Sequence, residues 1–588
     1  MESEPPPKGL TWEQSDSVST ANIVHGKRTR VQTNIHKTST HHVTIMNERH
    51  VDMDDCITHD EASEWLFYIH LPTDLVEEGM TLRDLQKGID NELKALREFK
   101  TYEWVSADEV KKAGVKPVGL LWVHKVKTDE KGFKFVKSRL SLRGDQLEPG
   151  ISYNPEQLYV PCANHRSVLL LFKLAVSLGN KVYAVDFKNA YLNALMKDPV
   201  FARAPPGVQE KGKEGMFLKI TKALYGAPQA GKRWYDLFAE LLRELGFKPL
   251  KSDPCMFIQE GVHVSKAIIG VFHVDDLIFI APDERAYSKF CDSLEKKFPI
   301  KRLGLAREFK GMEIEQLDGE IIVHQRTYAK KVIKFFGYAD SKPSATPGTK
   351  IDPAPMHESS GLRQYSIPQI VGSLLFLAKM TRPDIDEAVN AASVLQTVDA
   401  GVAYARLGKC IRYLKNLRGL RFKSGTRTGL AEQISVYPDA AHKACVKTGK
   451  SRTGYVVLVG GSPVAWLSKR QTKVALSSND AEIIAANEAL REMMAVRNIL
   501  LEIGLAQNNP VDVFEDNAQT ILAAQRGLSG PRTKHLAVEE HYLHELESGG
   551  YAKFRKIATE EQIADVLTKH LPKDQMDYLL DKFTLKMD

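Results

Sequence analysis

"FHVDDLIFI" (residues 272–280) sets two adjacent aspartates, Asp275 and Asp276, between runs of apolar and β-branched residues. Neighbouring carboxylates repel, and an apolar setting raises the cost. The flanking runs "KAIIGVFHV" (266–274) and "LIFIAP" (277–282) read as strands, which places the pair at the tip of a tight hairpin. An earlier strand, "VYAVDF" (182–187), carries a third carboxylate, Asp186, near its end. If that strand pairs with the hairpin, the three acids converge. Hard oxygen ligands grouped in this way bind Mg²⁺, whose charge resolves the repulsion and serves phosphoryl transfer. Taken alone, "VDD" reads more readily as a polar turn, since Asp is a common turn residue.

The surrounding chain constrains the choice. Its 588 residues suffice for several domains, and 43% hydrophobic and 26% charged residues are ordinary for a soluble globular protein. A net charge of +7 permits a polyanionic partner without requiring one. Six cysteines without a CxxC pair argue against a zinc ribbon or a disulfide framework and suit a reducing compartment. There is no apolar run long enough to span a bilayer, and "MESEPPPKGL" (1–10) is unlike a signal peptide. An intracellular, multidomain protein without membrane association is therefore expected.

Residues 1–62 are polar and hold six histidines without paired ligand spacing, so they read as a disordered linker rather than a metal site. Helical spacing begins at 82–99, and 118–144 reads as a basic β-hairpin turning at "DEKG" (129–132). Helices are expected at 166–178 and 229–247, the second with Trp234, Phe238, Leu241, Leu242 and Leu245 on one face. Four prolines mark 341–358 as a linker before a mostly helical stretch to about 420. After "SGTRTG" (424–429) come three strands, a long helix at 479–503, a strand, helices, a strand and a final helix.

That last unit offers a second set of acids: Asp439 in "VYPDAAHKA", Glu482 in "NDAEIIA", Asp516 in "FEDNAQ" and Asp565 in "EEQIADVLTKH". Each falls at a strand end or near a helix, where a βββαβαβα order brings them together. Four carboxylates around two Mg²⁺ suit hydrolysis of a phosphodiester by an activated water. Singly, each reads as a helix cap or a solvated side chain.

Joint occurrence of longer words narrows this. "KSRLSLRG" (137–144), "DFKNAYLNALM" (186–196), "LYGAPQAGKRWY" (224–235), "GFKPLKSDPCMFI" (246–258), "FHVDDLIF" (272–279), "EFKGMEI" (308–314), "GSLLFLAKMTRPDI" (372–385) and "IRYLKNLRGL" (411–420) stand in one order. Over roughly residues 81–580 the chain resembles the reverse transcriptase–RNase H region of copia-type LTR retrotransposon Pol polyproteins. The resemblance implies an α+β polymerase right hand followed by an α/β RNase H-like domain with a mixed five-stranded sheet. Fingers and palm would occupy 81–300, a thumb-like region 301–340, linker and helical connection 341–428, and the RNase H-like domain 429–575.

By the same resemblance, Asp186, Asp275 and Asp276 are the polymerase carboxylates, and Asp439, Glu482, Asp516 and Asp565 those of RNase H. Each set would hold two Mg²⁺, with Mn²⁺ as a substitute. Tyr191 would exclude the ribose 2′-hydroxyl, although a core aromatic is the plain alternative. Gln229 would touch the incoming nucleotide, and Lys137, Arg139 or Arg143 its triphosphate. The aromatics Trp234 and Trp466, mixed with nearby basic residues, are candidates for stacking on nucleic acid. His273 stands where the family has Tyr, beside the primer end, while Ala227 and Pro228 replace Leu and Lys, and Ile483 replaces Tyr. The loop "IATEEQIAD" (557–565) lacks the histidine of cellular RNases H, and His535 is a weak substitute for it. The implied partners are an RNA template, a DNA primer, an RNA–DNA hybrid and deoxynucleoside triphosphates, with integrase or self-association as further expectations. The implied location is cytoplasmic, in a virus-like particle, with nuclear association. With no integrase or protease text ahead of the polymerase words, the chain reads as a fragment of a longer polyprotein. The competing class is an inactive or repurposed nucleic-acid-binding remnant. The presence of all seven carboxylates and Gln229 weighs against decay.

Overall fold

The structure, a computed structural model, describes residues 75–76, 78–129, 132–205, 207–349, 361–424, 433–445, 448–527 and 536–587. The expectations for residues 1–62 and for His535, and parts of those for 129–132, 341–358 and 424–429, lie outside the described residues. The chain forms two compact units. Of the described residues, one unit draws on those from Leu75 to Lys94, on those within Leu120–Ser141 and on those within Pro205–Glu214; the other takes in those within Ala95–Gly119, Leu142–Ala204 and from Gly215 onward.

The chain runs through helix α1 (Leu82–Glu98), strand β1 (Tyr102–Val105), helix α2 (Ala107–Ala113) and the hairpin β2 (Leu120–Thr128) and β3 (Lys134–Leu142). In the first unit, Leu85, Ile89 and Leu93 of α1 recur at helical spacing and are buried. Gly88 brings the helix close to β3, because a Cβ there would meet the Val136 carbonyl oxygen at 2.6 Å. Glu92 accepts a hydrogen bond from the Leu140 amide at 3.1 Å, and burial pushes its carboxyl pKa up. Strand alternation buries Val136, Ser138 and Leu140 and leaves Lys137 and Arg139 partly exposed.

In the second unit, helix α3 (His165–Leu178) is buried continuously from Ser167 to Val176, as expected of a helix apolar on all sides. Strand β4 (Lys181–Phe187) follows, then β5 (Phe201–Ala202) and β6 (Phe217–Ile220), which join β1 in a small sheet. Helix α4 (Ala230–Glu244) leads to β7 (Phe247–Pro249), β8 (Met256–Gln259), β9 (Ile269–His273), β10 (Asp276–Ala281), helix α5 (Glu284–Glu295) and β11 (Ile300–Leu305). A six-stranded sheet forms in the order β11-β4-β10-β9-β8-β7. Below its hairpin lies an aromatic core in which Phe238 stacks on Phe272 at 4.1 Å and Trp234 meets Phe298 at 5.1 Å.

Strands β12 (Glu308–Phe309), β13 (Met312–Leu317) and β14 (Glu320–His324), with helix α6 (Arg326–Phe335), occupy the stretch expected to be thumb-like. Helices α7 (Ile367–Met380), α8 (Asp386–Val394) and α9 (Ala400–Tyr413) make the helical stretch, but its end turns into strand β15 (Arg418–Lys423). That strand joins a second sheet, β12-β13-β14-β15-β21, whose last member comes from the C-terminus. Sequence reading missed this closure because β15 follows a helix without a turn signal of its own.

The last region has β16 (Ile434–Ala441), β17 (Arg452–Val459) and β18 (Ser462–Arg470), then the 25-residue helix α10 (Ser478–Glu502). Next come β19 (Val511–Glu515), α11 (Ala518–Arg526), α12 (Ala537–Ser548), β20 (Ala552–Lys556), a 3₁₀ helix (Ile563–Leu567), α13 (Lys573–Leu580) and β21 (Thr584–Lys586). The sheet order is β18-β17-β16-β19-β20, antiparallel over the first three strands and parallel over the rest, which is the mixed five-stranded sheet expected. This region packs directly on α3 and the helical stretch. Trp466 donates to the Ala378 carbonyl at 2.9 Å and Arg166 pairs with Glu492 at 2.9 Å, while the buried Lys173 ammonium ties α3 to β15 through the Lys423 carbonyl at 2.6 Å. Among the described residues no helix is long and apolar enough to cross a membrane.

Candidate functional site

The hairpin that opened the sequence reading forms as β9 and β10, with Val274 and Asp275 as its two-residue turn. Val274 adopts φ +58°, a left-handed conformation that a β-branched residue adopts only under strain, at a cost of about 1–3 kcal/mol. Two bonds hold it there. The Trp234 indole N–H donates to the Val274 carbonyl at 2.7 Å, and the Phe187 amide donates to the Asp275 carbonyl at 2.9 Å. Antiparallel pairing then sets Asp276 directly opposite Asp186, with His273 opposite Asp276 on its other side. On β11, Lys301 stands opposite Asp186, a cross-strand opposite-charge neighbour that sequence reading did not single out. Asp276 is exposed, and Asp186 and Asp275 are half-buried.

The other residues expected at this site fall into different settings. Tyr191 is half-buried, its ring 5.1 Å from that of Tyr225. Gln229 is 3% exposed, and its amide donates to the Ser152 carbonyl at 3.2 Å. The Arg143 guanidinium forks onto Asp145 at 2.8 and 2.9 Å. Lys137 and Arg139 lie in the first unit. His273 is half-buried with its ring edge toward Phe309, and burial, helped by the Lys310 charge, lowers its pKa. Trp234 and Trp466, expected to stack on nucleic acid, are 1% and 8% exposed. Both are core rings whose N–H groups tie down backbone carbonyls, because each lies on the inward face of its element.

The second constellation is more closed. Ligand oxygens of Asp439, Glu482 and Asp516 lie within 4.8 Å of one another, supplied by β16, the first turns of α10 and the residue just past β19. Asp439 is 1% exposed, and burial together with Asp439 pushes the Glu482 pKa up to about 10. Asp565, on the 3₁₀ helix, is pushed up to about 7 by burial and by Asp439. It belongs to the same neighbourhood through Lys569, whose ammonium reaches Asp565 at 2.6 Å and Asp439 at 3.3 Å. Burial works against that ammonium, but the two aspartates outweigh it and hold its pKa above the ordinary value. The Thr568 hydroxyl also donates to Asp439.

A fifth acid, Glu515, was not anticipated. It is fully buried, accepts the Asn517 amide at 2.9 Å through Oε1, and has its pKa raised by burial. Buried Oε2 atoms of Glu482 and Glu515 have no hydrogen-bond partner within the protein. Three converging hard oxygen donors and two orphaned carboxylate oxygens fit a divalent cation of the Mg²⁺ class. The signal for Lys569 was present in the sequence, since Asp565 and Lys569 stand at i,i+4. Glu515 gave none, because an acid ending a strand normally faces solvent.

Residues 99–350 match the family model for reverse transcriptase (RNA-dependent DNA polymerase). The retrovirus-related Pol polyprotein from transposon TNT 1-94 of Nicotiana tabacum is 30% identical over 84% of this chain and 37% of its own length. That from transposon RE1 of Arabidopsis thaliana is 28% identical over 77% of this chain and 31% of its length, so the chain spans about a third of these relatives. The putative transposon Ty5-1 protein of Saccharomyces cerevisiae is 29% identical over 53% of this chain and all of its own length. Among solved structures, an RNase H1 isolated from compost aligns over 25% of this chain and 99% of its own at 20% identity and a TM-score of 0.19. The family match and these relatives together identify the chain as a reverse-transcriptase-containing region of the LTR-retrotransposon Pol kind.

Proposed function

We propose that the chain extends a DNA primer on an RNA or DNA template and cuts the RNA strand of the resulting hybrid, at two separate sites. The observation that carries the reading is the pairing of Asp276 with Asp186, beside Asp275, inside the stretch that matches the reverse transcriptase model. A polymerase right hand is the arrangement this reading implies for the region around the six-stranded sheet. Asp186, Asp275 and Asp276 form the polymerase site, and Asp439, Glu482, Asp516 and Asp565 the hydrolytic one. When bound, divalent ions at each site neutralise developing phosphate charge and raise the nucleophilicity of the attacking hydroxyl or water.

The protein's own contribution is placement. The strained turn at Val274, held by Trp234, presents Asp275 and Asp276 beside Asp186, so the acceptor geometry is formed before substrate arrives. Tyr191 is assigned the role of excluding ribonucleotides, and one of Lys137, Arg139 and Arg143 that of gripping the triphosphate. Gln229 and Arg143 engage protein partners in this structure, so nucleotide contact by either requires exchanging that bond. At the second site the buried Asp439 and Glu482 and the half-buried Asp516 bring their carboxylate oxygens together for an ion, while Lys569 balances part of their charge. Burial and the Lys310 charge shift His273 toward its neutral form, and the polymerase reading places it near the primer end.

Primer extension on an RNA template with Mg²⁺, run beside cleavage of a labelled RNA–DNA hybrid, tests this. Extension lost in Asp275→Asn with cleavage retained, and the reverse in Glu482→Gln, is the expected result. Absence of both activities in the unaltered chain with Mg²⁺ and with Mn²⁺ would favour a nucleic-acid-binding remnant.

A further inference from the structure

The geometry points to Gln562 as the positioning residue that sets the spacing of the second carboxylate constellation. This rests on the reading that the constellation holds divalent cations. The Gln562 side chain is fully buried, and its amide meets all three elements that bear on Asp439, Asp516 and Asp565. Nε2 donates to the carbonyl of Pro438, the residue before Asp439, at 2.9 Å, and to the carbonyl of Phe514, two residues before Asp516, at 3.1 Å. Oε1 accepts the Ala564 amide at 3.3 Å at the start of the 3₁₀ helix that carries Asp565.

The strands need such a bridge at this end. The parallel ladder between β16 and β19 pairs Ser435 with Asp512 and Val436 with Val513, and is not continued toward the acids. Pro438 has no N–H with which to extend it. Both carbonyls would be left without a donor inside the domain, and one primary amide, with its two N–H groups, satisfies both. The same segment closes the site from its other end, since Thr568 and Lys569 bond the Asp439 carboxylate. Gln562 thus fixes the backbone from which the ligands project, and Thr568 and Lys569 fix a ligand itself. Groups that orient ligands in this way typically change metal affinity or activity by about ten- to a hundredfold when removed.

The test uses the full chain and Gln562→Met, which keeps length and apolar volume but removes donors and acceptor. Mn²⁺ binding is followed by the loss of the free-ion electron paramagnetic resonance signal, alongside hybrid cleavage and primer extension. We expect Mn²⁺ affinity at this site to fall about tenfold or more, kcat for cleavage to fall with it, KM for the hybrid to hold, and extension to remain. Unchanged affinity and kcat in Gln562→Met, with extension intact, would overturn the inference. If Gln562→Met also loses extension, Gln562→Glu decides: it keeps the shape and an acceptor but cannot supply both N–H groups. Weakened Mn²⁺ binding there supports the positioning role, and unchanged binding overturns it. Asp439→Asn and Glu482→Gln serve as controls. Binding that neither alters removes the ion-site reading itself, whereas unchanged binding in the Gln562 variants alone removes only this inference.

Discussion

The two carboxylate constellations solve the same electrostatic problem in opposite ways. On the six-stranded sheet the acids stand at the open tip of a hairpin, Asp276 exposed and Lys301 in register beside Asp186. Around the mixed five-stranded sheet Asp439, Glu482 and Glu515 are buried, and the strain appears as raised pKa values of Glu482 and Glu515 rather than as backbone conformation. The hairpin site keeps one acid, Asp276, in water and takes a backbone cost in one turn. A closed site must supply counter-charge, here Lys569, and leaves the remainder to a cation.

The largest expected effect breaks the pair into independent halves. Asp275→Asn should reduce primer extension by about 10³-fold or more and leave cleavage within twofold, with Glu482→Gln doing the reverse, because each removes a charged oxygen from one site only. Loss of both activities in either variant would mean the sites are coupled.

A second test uses pH. The raised pKa values near 7 for Asp565 and near 10 for Glu482 mean that protons compete with the ion, so hybrid cleavage at fixed low Mg²⁺ should rise across about pH 6–8. Primer extension measured over the same range is the comparison that shows whether the pH dependence belongs to the hydrolytic site alone. The stability sign follows from the same shifts. A carboxyl raised in the folded state costs nothing while protonated in both states, below about pH 4, and destabilises increasingly as pH climbs toward its folded value. Metal-free protein should therefore lose thermal stability between about pH 5 and 9, and Glu482→Gln should flatten the slope.

A smaller effect is expected at the open site. Trp234→Phe keeps a ring in the aromatic core but removes the donor to the Val274 carbonyl. An orphaned carbonyl costs about 1–3 kcal/mol, and extension should fall several-fold with cleavage unchanged. The smallest belongs to Val274→Gly, which relieves the φ +58° strain but adds freedom to the unfolded chain. Its net change in stability should stay within about 1 kcal/mol in a thermal melt, and a large stabilisation would show that the turn stores more strain than its backbone angle implies.

Much of this was legible in sequence because it is local. The alternation around Asp275 and Asp276, the strand ending near Asp186, the three strands before Glu482 and the long helix carrying it follow from periodicity and turn chemistry, which need no partner to be read. The words shared with retrotransposon Pol regions supplied the expectation of which acids belong together. What stayed hidden involves side chains whose role depends on distant neighbours. Trp234 and Trp466 look alike as surface stackers or core rings until the fold decides which face is inward. Glu515 becomes a buried acid only once its strand β19 is set between β16 and β20. Likewise β15 reads as the tail of a helix until a C-terminal strand more than 160 residues later pairs with it.

By itself the sequence determined which residues carry charge, where most strands and helices run, and the order of two acidic constellations. Only the tertiary structure decided that Asp276 faces Asp186, that Lys569 lies between Asp439 and Asp565, and that Gln562 spans two strands. The physical reason is range. Backbone preference and periodicity act over a few residues, while the electrostatic cost of a buried acid is set by whatever the whole chain brings within a few ångströms of it.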